Sequence, residues 1–167
     1  GGATNRTAVG DDLEKALEAR VAFNREQQAA PYEKLRKLID PDAPVPVTNK
    51  LSGTLNSVMR QRLAASEGAL PRDLVPMADI ATNPTGVTFN GLQRARSTLG
   101  ERIDFEEAQG FNTADLRRAY GAMTQALEHV AGVAAKGDGA AARAALKAAD
   151  EQFGRLSGVN RELSAAM

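Results

Sequence analysis

Cysteine is absent from this 167-residue chain, which excludes disulfides, thiolate metal sites and a cysteine nucleophile. Tryptophan is absent too, and aromatic residues make up only 4% of the chain. Its core must therefore be assembled from Leu, Ala, Val and Met, small side chains that each remove little area from water, at about 25 cal/mol per Å². Neither sign of charge is in excess, with 21 Lys plus Arg against 21 Asp plus Glu. A protein that grips nucleic acid through its backbone usually carries a basic surplus, so only a local patch could serve here. No apolar run approaches the ~20 residues that a membrane-crossing helix needs, and no charged leader precedes an apolar segment. A soluble chain without a membrane span is expected.

What the chain does have is helical periodicity. Leu116, Tyr120, Met123, Leu127, Val130 and Ala134 recur at alternating steps of four and three. Leu146, Ala149, Phe153, Leu156, Asn160 and Leu163 follow the same rule beyond Gly137-Asp138-Gly139. A mean step of 3.5 keeps one narrow stripe facing a partner helix. The predicted fold is all-α: a bundle of about five helices with a long C-terminal antiparallel hairpin over 112–164. Residues 1–10 read as a flexible lead-in and 11–167 as one helical domain, excised from something larger.

Along the chain, Asp11 or Asp12 caps a first helix through Leu13, Leu17, Val21 and Phe23, which Pro31 stops or kinks. Tyr32, Leu35, Leu38 and Ile39 follow. Residues 40–47 hold Pro41, Pro44 and Pro46, which impose a helix-free crossing, with a short extended piece at Val45 to Val47. Thr48 or Asn49 caps the next helix, which Gly68 ends. Pro71 opens a short helix through Leu74, Met77 and Ile80. Thr88 caps a helix with the stripe Phe89, Leu92, Arg96, Leu99, Ile103, which Gly100 should weaken. Gly110 breaks the chain again, Asn112 or Thr113 caps the next helix and Asp138 the last.

Few residues offer chemistry. His129 is the lone histidine, with Gln125 and Val133 as its helical neighbours, whereas a zinc site needs three or four ligands. Glu101, Asp104, Glu106 and Glu107 could be imagined as an acid–base pair for glycoside cleavage, but the run reads as a solvated helix end. No phosphate-cradling loop and no nucleophile elbow is present. The reading is therefore non-enzymatic, with no cofactor and no metal.

Two polar residues interrupt apolar stripes. Arg96 must either snorkel to water or pair with a carboxylate, and Asn160 must find a partner across its seam, so either could specify helix pairing. Lys34, Arg36, Lys37, Lys50, Arg60, Arg62 and Arg72 form the richest basic stretch and the candidate for binding DNA.

The segments Tyr32 to Pro41, Phe89 to Gly100, Leu116 to Met123 and Ala148 to Phe153, in this order, resemble the helical middle regions of very large phage and prophage virion proteins. These are the internal or tail-associated proteins implicated in DNA ejection. The resemblance covers roughly residues 30 to 156 and rests on spacing rather than on a diagnostic signature. It implies a structural module of a multi-domain virion protein, contacting itself or other virion components, in the virion or in the cytoplasm of a bacterium carrying the prophage. The lytic activity of such proteins resides in a separate transglycosylase-like domain, of which this chain shows no trace. Two other readings stay open: a bacterial ligand-sensing or signalling bundle, and a DNA-binding module using the Lys34 to Arg72 stretch.

Overall fold

The computed structural model describes residues 32–65, 70–83 and 85–157. Every regular element among them is helical. Helix α1 is described over residues 32–38. It is followed by α2 (Asn49–Ala65), a 3-10 turn (Arg72–Leu74), α3 (Val75–Thr82), α4 (Phe89–Ala108), α5 (Ala114–Val133) and α6 (Gly139–Ser157). No strand occurs among the described residues; two isolated antiparallel bridges, Ile39 with Ala135 and Val45 with Val87, are the only extended pairings there. The first expected helix, with Asp11, Leu13, Leu17, Val21 and Phe23, lies outside the described residues, as do Gly68 and Asn160.

Helix α5 touches α2, α4 and α6. Its predicted stripe explains why: Leu116, Tyr120, Met123, Leu127, Val130 and Ala134 are all buried. On α6, Leu146 and Ala149 are buried, and Phe153 packs against the same core. Ala119, Ala131 and Ala142, also buried, place only methyl groups between the backbones, so an aromatic-poor core closes through small residues.

Helix ends follow the caps expected of them. The Thr88 hydroxyl accepts from Gly91 N–H at 3.0 Å, Thr48 Oγ1 from Leu51 N–H at 3.2 Å, and Asp138 Oδ1 from Ala140 N–H at 2.9 Å. Asn112 Oδ1 accepts from Ala114 N–H at 2.9 Å. Two expectations need correction. Gly100 does not interrupt α4, which continues to Ala108, because Gly100 is buried between Leu99 and Ile103 and packing there outweighs its poor propensity. Pro71 precedes a 3-10 turn rather than opening an α-helix; Pro76 occupies the first turn of α3, where a missing N–H costs nothing.

The proline-rich crossing is pinned rather than loose. Val45 and Val87 exchange both backbone hydrogen bonds at 2.8 Å, and Asn90 N–H reaches Pro41 O at 3.1 Å. Gly86, with φ of +98°, brings the backbone so close that an added Cβ would stand 2.5 Å from Val45 O. Gly86→Ala is therefore expected to cost about 2 kcal/mol, from the positive φ and from displacing the crossing. Urea unfolding checks this: a midpoint unchanged from wild type would show the crossing to be slack.

Candidate functional site

Two clusters of charge are built into this helical scaffold. The first is buried. Arg96, midway along α4, is 3% exposed and sends Nη2 to Asp150 Oδ1 at 2.7 Å and Nη1 to Asp150 Oδ2 at 3.0 Å, a two-pronged contact with α6. Nη1 also donates to Thr124 Oγ1 of α5 at 3.1 Å. The guanidinium carbon lies 5.6 Å from the centre of the Tyr120 ring. From α1, the Tyr32 hydroxyl donates to Asp150 Oδ1 at 2.6 Å. Four helices thus meet at one ion pair. Burial penalises the Arg96 charge, but the Asp150 carboxylate more than offsets this and raises the pKa above the ordinary arginine value.

The second cluster lines an open groove of about 810 Å³ between α2, the 3-10 turn, α4 and the start of α5. Glu106, buried at 2% exposure, accepts from Arg62 Nη1 at 2.7 Å and from Arg102 Nε at 2.6 Å. Arg62 also grips Asp115 with two bonds, Nε to Oδ2 at 2.7 Å and Nη2 to Oδ1 at 2.8 Å. At the groove wall, Arg118 donates to Ser57 Oγ at 3.3 Å and to Gln61 Oε1 at 3.2 Å, both uncharged acceptors. Phe111 stands at the groove edge, 59% exposed. Phe105, 52% exposed, immediately precedes Glu106, with the Arg102 guanidinium 5.2 Å from its ring centre.

Burial alone would raise the Asp115 carboxyl, but the Arg62 hydrogen bonds and charge outweigh it and hold the pKa below the ordinary 3.8. The folded value thus lies below the unfolded one. The contribution to stability is fully present above the unfolded value and is lost as pH falls through the folded value. Asp115→Asn is expected to flatten the part of the acid limb that lies below the ordinary carboxylate value, in melting temperature measured against pH. An acid limb identical to wild type would contradict the assignment.

Arg96 takes the carboxylate-paired course of its two sequence options. Glu106 departs from the expectation of a solvated run: Glu101, Asp104 and Glu107 are exposed, but Glu106 continues the stripe Leu92, Arg96, Leu99, Ile103 by one more step of three. The same periodicity therefore contained the signal. His129 is exposed on α5. Lys34, Arg36 and Lys37 are exposed on α1, Lys50 and Arg60 on α2, and Arg72 on the 3-10 turn. Two of these basic residues, Arg36 and Arg62, stand well apart. Arg36 donates to Gln93 Oε1 at 3.0 Å while Arg62 holds Glu106, and these acceptors are thirteen residues, or about 20 Å of helix rise, apart on α4. Arg62, moreover, is committed to two carboxylates.

Comparison with known proteins finds no matching family model, curated relative or solved structure.

Proposed function

We propose that this chain is a non-enzymatic structural and interaction module: a helical bundle, closed by an α5–α6 hairpin, that works within a large phage or prophage virion-associated protein. The observation that carries the interaction reading is the placement of Phe105 and Phe111. A chain with only five Phe and two Tyr leaves two of them more than half exposed, Phe105 in the last turn of α4 and Phe111 on the α4–α5 connection, where it lines a charged groove. Exposed aromatic residues rimmed by polar groups are characteristic of protein contact surfaces. The buried Arg96–Asp150 junction supports the structural half of the reading, because it fixes how α1, α4, α5 and α6 meet. The virion assignment comes from the resemblance over residues 30 to 156.

The test uses the bacterium that encodes the chain. After prophage induction, particles banded by density are digested and analysed by mass spectrometry. Peptides from this chain are expected in the particle band at a fixed ratio to the major capsid protein. Their confinement to the soluble lysate, with particles present and free of them, would overturn the assignment.

A further inference from the structure

The groove between α2, α4 and α5 has a charge pattern that specifies its occupant. Three guanidinium groups line it, those of Arg62, Arg102 and Arg118, against the two carboxylates of Glu106 and Asp115. Arg62 and Arg102 are bound to those carboxylates. Arg118 is different. It is exposed, held in place by Ser57 and Gln61, and has no carboxylate partner among the described residues. The guanidinium is thus already oriented by neutral acceptors, which lowers the ordering cost of receiving an anion. Beside it the groove offers apolar surface from Phe111, Ala65 and Pro71.

We propose that this groove docks an acidic, apolar peptide segment of a partner protein, whose carboxylate pairs with Arg118 while a neighbouring aliphatic or aromatic side chain covers Phe111. A nucleic acid fits less well. Evenly spaced phosphates would run over the carboxylates of Glu106 and Asp115, whereas one carboxylate next to an apolar side chain meets one cation next to an apolar edge. The proposal rests on the interaction-module reading and adds the contact face and the chemistry of the partner.

The experiment is a titration of the isotope-labelled full chain, followed by amide NMR, with two capped eight-residue peptides. One carries a single Asp flanked by Leu on both sides; the other has Lys in place of Asp. The Asp peptide is expected to shift the Ser57, Gln61, Phe111 and Arg118 resonances saturably, at least tenfold more tightly than the Lys peptide. Arg118→Glu, a surface change that leaves the fold intact, is expected to invert the preference, and Phe111→Ser to weaken binding of the Asp peptide at least fivefold. Equal response to both peptides, or no response at these resonances, overturns the proposal. So does a larger, salt-sensitive response to a single-stranded oligonucleotide, or concentration-dependent shifts of the same resonances without peptide, which would assign the face to nucleic acid or to a second copy. Virion association is measured separately, so peptide binding can fail while the module still bands with particles.

Discussion

Asp150→Ala is expected to lower the unfolding free energy by about 3–5 kcal/mol, because it leaves the Arg96 guanidinium charged and buried with no anion beside it. Arg96 keeps only Thr124 Oγ1 and the Tyr32 hydroxyl as acceptors, at 3.1 and 3.4 Å. The ion pair need not be stabilising in itself for this to hold. Its two charges have both been taken out of water, with side-chain exposures of 4% and 13%, and the attraction between them largely repays that desolvation. The triple variant Tyr32→Phe, Arg96→Met, Asp150→Leu removes the charges together with the hydroxyl that bonds them. It is expected to recover most of what Asp150→Ala loses. The two outcomes separate pairing from simple side-chain packing. Chemical denaturation of the three proteins checks this: a loss below about 1 kcal/mol for Asp150→Ala would show that water reaches the pair.

The second large effect is expected at Leu127, fully buried in the middle of the α5 stripe. Leu127→Ala should cost about 3 kcal/mol, the transfer term for the missing methyl groups plus a cavity left at a fully buried position of the core. Phe105→Ser and Phe111→Ser, by contrast, should each stay within about 0.5 kcal/mol of wild type, since both rings are largely in water already. Thermal melts of the three variants test both statements. If Phe105→Ser proved as damaging as Leu127→Ala, the exposed ring would belong to the core and the interaction reading would lose its main support.

Periodicity read the apolar frame well, since a stripe repeating at 3.5 can be buried only along one face. All six stripe positions from Leu116 to Ala134 are inside, and Thr88 and Asp138 cap the helices that follow them. Val45, read as part of a short extended piece, does pair with Val87. What the sequence hid was partnership. Arg96 could be recognised as a polar group in an apolar row, but its counter-ion lies 54 residues away on another helix, and no local rule connects them. Asp150 did carry one signal, standing four residues after the buried Leu146. Glu106 was misplaced for a different reason: it sits among exposed acids, and the charge run concealed that position 106 extends the row through Ile103. Local composition and helical phase disagreed, and phase decided the burial. The groove itself was not legible, because it is assembled from α2, α4 and α5 and depends on where the chain turns at Gly110, whose φ is +81°. Asn160, the other polar residue in a stripe, lies outside the described residues.

The hydrogen bond from Tyr32 to Asp150 joins positions 118 apart. On a ribosome, α1 and α4 emerge long before α6 exists, so the nascent chain carries Arg96 with no counter-ion until synthesis has passed residue 150. Until then, burying Arg96 carries the desolvation cost of an unpaired charge. The arrival of α6 supplies that anion, so the junction of α1, α4, α5 and α6 closes only once residue 150 has been added.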